Sequence, residues 1–120
     1  MANRIAFTGT KRTIELLCEE DGVCQAGDFI DGLSKSDRRK VDVLFEMLGA
    51  KGQISNKEKF KKLEGSDGIF EFKSFQIRLL CFFASNGRVV IVRGLTKKSN
   101  KHSPQDIAYA EQRRKKFLGE

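Results

Sequence analysis

Between Phe70 and Val92 apolar and polar side chains largely alternate. Phe70 and Phe72 flank Glu71 and precede Lys73, and Ile77, Leu79, Cys81 and Phe83 alternate with Arg78, Leu80 and Phe82. A period of two sends successive side chains to opposite faces of an extended chain, so the pattern predicts half-buried strands over roughly 69–75, 76–84 and 88–95. Asn86-Gly87 supplies the positive φ angles that a two-residue hairpin turn demands, which makes the last two strands antiparallel neighbours. One face of this sheet is expected to be apolar and the other cationic.

Elsewhere the period changes. Val41, Leu44, Phe45 and Leu48 fall at i, i+3, i+4 and i+7, a helical stripe that Ser34 or Ser36 can cap and Gly49 or Gly52 can end. Phe29, Ile30 and Leu33 suit a shorter helix over 26–33. Ser103-Pro104-Gln105-Asp106 combines an N-cap, a proline at the first helical position and an acid in the first turn, so a helix starts there and runs to about Leu118. Thr13 to Glu19 reads as the first strand, closed by the turn Glu20-Asp21-Gly22. Gln53 to Gly65 reads as a short turn or helix feeding the sheet, and Met1 to Lys11 as either an added strand or a loose leader. The expected fold is α+β in a single domain over 1–120, with a small, mostly antiparallel sheet, an N-terminal helix hairpin and a C-terminal helix.

Charge sharpens this picture. The net charge of +7 is uneven: residues 1–34 hold three Lys/Arg against six Asp/Glu, residues 35–62 nine against four, and residues 97–120 seven against three. A basic hairpin and tail around a sheet point to a polyanionic partner. Three cysteines (Cys18, Cys24, Cys81) leave one unpaired in any disulfide scheme, so inert thiols in a reducing compartment are expected. The longest apolar run, LLCFFA, is far too short for a membrane span, and residues 1–11 lack the apolar core of a signal peptide; the cytosol, with no membrane partner, is the expectation. Motifs for nucleotide hydrolysis, dinucleotide binding, zinc proteolysis and esterase chemistry are absent, and neither a metal site nor a cofactor is expected.

The candidate chemistry lies on the sheet and just after it, in Glu71, Lys73, Arg78, Arg93, Lys97, Lys98, Lys101 and His102. Lys73 and Arg78 are expected side by side across two strands, with Glu71 either paired to Lys73 or standing as a general base. Lys97, Lys98 and Lys101 precede a helix N-terminus, whose free amides favour a phosphate. Such a set can cleave RNA if one group takes the 2′-hydroxyl proton, another stabilises the phosphorane and a third protonates the leaving 5′-oxygen. Arg78 suits charge stabilisation, because a guanidinium does not release its proton. His102, the sole imidazole, stands either as a proton donor or as a loop bystander.

These residues lie within a longer pattern: SDRRKVDVLFEMLGAKG, FKKLEG, GIFEFK, IRLLCFF and GRVVIVRGLTKKSNKHSPQDIAYA, followed by RRKKF. The pattern resembles the phage-derived Gp49-like, HigB-type branch of the RelE/ParE toxin superfamily. The resemblance implies a RelE-like toxin fold and a type II toxin that acts as a ribosome-associated mRNA endonuclease. It further implies 2′-hydroxyl attack and a small helix-turn-helix antitoxin as partner. Lys73, Arg78, Lys97 and Lys98 then correspond to catalytic positions; Arg93, which replaces an often different residue, Lys101, His102 and Glu71 are expected to bind RNA. Glu71 stands where some ribonuclease members carry a lysine, and Tyr109 is the nearest match to a tyrosine near their last helix. A noncatalytic relative of the toxin fold and a ParE-like gyrase inhibitor are the alternatives.

Overall fold

The computed structural model describes residues 3–97 and 101–119. Six strands form one sheet: β1 (Arg4–Thr8), β2 (Thr13–Leu16), β3 (Phe60–Lys62), β4 (Phe70–Ser74), β5 (Ile77–Ala84) and β6 (Arg88–Thr96), in the spatial order β1-β2-β6-β5-β4-β3. Three helices complete the chain: α1 (Gln25–Asp31), α2 (Lys35–Lys51) and α3 (Pro104–Leu118). β2 runs parallel to β6 and the other neighbours are antiparallel, which makes the sheet mixed. The fold is α+β, and the helix pair is preceded by two strands.

The strongest local signals form the elements expected of them. Asn86 and Gly87 take φ of 63° and 72° at the β5–β6 turn. The Ser34 hydroxyl accepts the Asp37 N–H at 3.1 Å to open α2, and the Ser103 hydroxyl accepts the Asp106 N–H at 3.1 Å to open α3. Val41, Leu44, Phe45 and Leu48 are buried against the sheet, as their spacing requires.

Two weak segments become edge strands. Residues 1–11 contribute β1, and the Gln53–Gly65 segment contributes β3, which pairs Phe60 with Phe72 and Lys62 with Phe70. Aromatic packing holds β3: Phe60 lies 5.6 Å from Phe70 and 4.9 Å from Phe72, centroid to centroid.

The sheet has no purely cationic face, which corrects the expectation from alternation. α1 and α2 cover one face over Ile14, Phe72, Leu79, Cys81 and Ile91. On the other face Leu80, Phe82, Val90 and Val92 pack beneath Ala110, Ile107 and Phe117 of α3. Apolar residues at even positions of β5 and β6 had to be buried too, and the C-terminal helix buries them. Cations on that face stand toward both ends of the sheet: Lys73 and Arg78 are register neighbours at one, and Arg88 lies 5.1 Å over the Phe117 ring at the other.

The cysteine expectation also changes. Cys18 and Cys24 form a disulfide with Cα atoms 4.2 Å apart. Between them the chain reverses, the Glu19 N–H donating to Val23 O at 2.8 Å and the Gly22 N–H to Glu19 O at 2.9 Å. That closed turn brings the two residues together, a proximity with no signature in their six-residue spacing. Cys81 remains free and buried. Burial first, and the charge of nearby Glu71 second, push its thiol well above the ordinary range. The folded chain therefore keeps a proton that the unfolded chain releases above pH about 8.5, and stability falls as pH rises through that value. Cys81 is expected to resist maleimide in native buffer and to react fully in denaturant, read by intact-protein mass; rapid native labelling would contradict its burial.

Candidate functional site

At the β4–β5 end of the α3-covered face three ionisable side chains meet out of solvent. Glu71 and Arg78 are buried, at 1% and 3% exposure, and the His102 side chain is 2% exposed although its backbone reaches the surface. Glu71 Oε2 lies 2.5 Å from His102 Nε2, and Glu71 Oε1 lies 3.6 Å from Arg78 Nε. Arg78 Nη1 donates to the Phe75 carbonyl and, at 3.1 Å, to the Ile77 carbonyl.

The local sequence explains the geometry. Glu71 stands opposite Leu80, and Lys73 opposite Arg78. A cross-strand diagonal thus carries the Arg78 guanidinium toward the Glu71 carboxylate. His102, two residues ahead of α3, meets the Glu71 carboxylate at this end of the sheet. The Lys97 N–H donates to Gln76 O at 2.7 Å, which ties the β6 exit to the β4–β5 turn.

The cations expected beside this cluster divide among several partners. Lys73 pairs with Glu58 at 3.8 Å rather than with Glu71. Glu58 is 86% exposed, so solvent screens that pair to a contribution of about 0–1 kcal/mol. Lys97 Nζ donates to the Lys101 carbonyl at 2.7 Å. Arg93 bonds Asp106 at 3.2 Å and lies 4.7 Å over the Tyr109 ring, whose face Arg113 also covers at 3.6 Å. Lys98 lies outside the described residues. The structure thus brings Glu71, Arg78 and His102 into contact, sets Lys73 opposite Arg78 in register and Lys97 against the β4–β5 turn, and turns Arg93 toward α3.

Gln25 has no counterpart among the expected site residues. Its side-chain amide donates to Gly94 O at 2.8 Å and accepts the Gly94 N–H at 2.7 Å, completing the β6 backbone beyond the end of β2. Gly94 sits just after a register shift in the β5–β6 pairing, and a Cβ there would meet the Phe29 ring at 2.4 Å. The α1 contact therefore fixes the path of β6 into the site. No local motif marks Gln25, whose partner is 69 residues away.

A signal for the buried cluster was present in the sequence. Glu71 shares a face with Leu80 and Phe82, an apolar row in which an acid needs partners. Arg78 lies within reach on the next strand, and His102 is the sole imidazole.

Beyond the cluster an open groove of about 1020 Å³ runs past β3, lined by apolar side chains such as Phe60, Phe70 and Phe83, by Glu64, and by Arg12, Lys57, Lys61, Lys62, Lys101 and His102. The His102 ring therefore borders a basic channel, with Nε2 engaged by Glu71 and Nδ1 buried without a hydrogen-bond partner among the described residues. In chemical terms the site offers an imidazole oriented by a carboxylate, a guanidinium holding that carboxylate, and a surrounding set of lysines. Among the described residues no three His, Cys, Asp or Glu side chains are grouped to hold a metal ion, and no helix is long and apolar enough to cross a membrane.

Among curated proteins no match is found. Residues 28–115 match the family described as phage derived protein Gp49-like, a span that includes α2, the four strands β3–β6, the buried cluster and most of α3. The match covers well over half of the chain, and the protein belongs to this Gp49-like family, the HigB/RelE-like toxins.

Proposed function

We propose that the protein is the toxin of a type II toxin-antitoxin pair and cleaves mRNA on the ribosome by attack of a 2′-hydroxyl on the adjacent phosphate. The observation that carries this reading is the Glu71–His102 contact, buried at the basic end of the sheet and bordering the cationic groove. Glu71 holds Nε2 and so orients the imidazole, leaving Nδ1 to take or give a proton. Lys73, Lys97 and Lys101, with Lys98 next in the chain to Lys97, supply positive charge for the phosphorane. Arg78 acts through Glu71, as a positioning residue. His102 moves one of the two protons, off the 2′-hydroxyl or onto the leaving 5′-oxygen, and a lysine of this set moves the other, so side chains supply base, acid and charge and the reaction needs no metal. The partner is a small antitoxin, of helix-turn-helix type in this reading.

One observation favours a second reading. The Arg78 guanidinium, the natural phosphate ligand on sequence grounds, is spent on internal acceptors. A noncatalytic member of the fold would use such a cluster for stability alone, and its RNA binding would weaken steeply with salt and yield no products.

Expression in a host lacking the antitoxin, with mRNA 5′ ends mapped, separates the two. Wild type is expected to arrest growth and create new ends inside translated messages. Arrest without new ends would contradict the nuclease, and loss of supercoiling activity in the same cells would redirect the account to gyrase.

A further inference from the structure

Phe75 sits at the β4–β5 turn with φ of 55°, a backbone conformation that bulky L-residues rarely hold. It is 76% exposed, more than the other exposed large apolar residues among those described, such as Ile5 at 60%. Its carbonyl is held by the buried Arg78, so the turn is anchored while its ring faces water. Neither the strained backbone nor the exposed ring contributes to the core, and an asparagine or glycine would suit that φ better.

The ring's surroundings are cationic. Lys40 Nζ lies 4.3 Å over the ring centroid. Lys40, Val43, Lys59, Lys73 and Phe75 line an open depression of about 400 Å³, with Glu58 as its acid. An aromatic plate among lysines matches a nucleotide, whose base stacks on the ring while its phosphate meets the charges. With Glu58 its one acid against Lys40, Lys59 and Lys73, the depression carries a net positive charge that an apolar peptide would not answer.

We propose that Phe75 is the stacking platform for a nucleobase of single-stranded RNA, next to the phosphate at Lys73. This inference rests on the RNA-cleaving reading above. It adds that one base is gripped on the α2 side of the turn, opposite the His102 cluster, so that the strand crosses the end of the sheet between the two.

Because the chain has no tryptophan, Phe75→Trp introduces a fluorophore that reports this position alone. The probes are a short single-stranded 2′-O-methyl RNA, which cannot undergo 2′-hydroxyl attack, and an abasic phosphodiester of equal length, with binding read separately by anisotropy of an end label. The base-bearing strand is expected to quench the indole and the abasic strand to leave it unchanged. Phe75→Ala is expected to weaken RNA binding roughly 5- to 100-fold, the loss typical of one stacked base, and Phe75→Tyr to retain it. RNA binding with unchanged indole emission and undiminished Phe75→Ala affinity overturns the stacking role while leaving the RNA reading intact. No RNA binding by any variant overturns both. An indole response to the purified antitoxin but not to RNA assigns the ring to a protein interface and likewise overturns the proposal.

Discussion

Arg78→Ala is expected to lose about 3–5 kcal/mol of folding stability, read as a fall of roughly 10–25 °C in Tm. The residue removed is not a surface cation. It leaves the buried Glu71 carboxylate without its guanidinium, and it leaves the Phe75 and Ile77 carbonyls without their shared donor. An uncompensated buried charge is among the few defects that exceed the usual cost of a point mutation. The paired change Glu71→Leu with Arg78→Met should recover much of the loss, since removing both charges spares the desolvation that removing one exposes. A change below 1 kcal/mol for Arg78→Ala would mean that water reaches the guanidinium. Loss of toxicity in Arg78→Ala is then no proof of a catalytic role, as an unfolded toxin is also harmless.

The larger functional effect is expected at His102. His102→Gln keeps a side-chain N–H that can reach Glu71, so the fold is retained, but an amide cannot exchange a proton. Cleavage of ribosome-bound mRNA should fall about 10²- to 10⁴-fold, the range typical of a positioned general acid or base, with RNA affinity unchanged. A drop in kcat without a change in KM marks the histidine as acting in the transition state. A matching loss in affinity would instead give it a binding role, and no loss at all would leave it a structural partner of Glu71.

The elements that carry strong local chemistry were legible in the sequence. The Ser103-Pro104 start of α3, the Asn86-Gly87 turn and the Val41–Leu48 stripe each rest on interactions within a few residues, and each formed in place. β3 was not legible, and β1 only as one of two alternatives, because short edge strands depend on partners supplied from elsewhere. β3 gains its order from Phe70 and Phe72, on the following strand. The parallel β2–β6 pair joins Ile14 to Val89 across most of the chain, beyond any local pattern.

The candidate site divides along the same line. The lysines after β6 and the cross-strand Lys73–Arg78 placement follow from alternation and the turn. What alternation missed was depth. It treated Lys73 and Arg78 as a surface pair facing an anion, with Glu71 beside them, whereas α3 covers that face and Arg78 and Glu71 are buried in it. The choice of Glu71's partner changed accordingly. Beside it on the same strand stood Lys73, but a buried carboxylate takes the partners that share its burial, Arg78 and His102. Family resemblance named the positions, and the packing redistributed their roles.

The end chemistry of the cleaved RNA tests the central claim most directly. Translating ribosomes are incubated with the purified wild-type protein, and the fragments are analysed by mass. Attack by the 2′-hydroxyl under control of the Glu71–His102 pair predicts 2′,3′-cyclic phosphate and 5′-hydroxyl ends, lost in His102→Gln. Fragments bearing 5′-phosphate and 3′-hydroxyl ends, or intact mRNA under wild-type protein that binds it, would contradict the account.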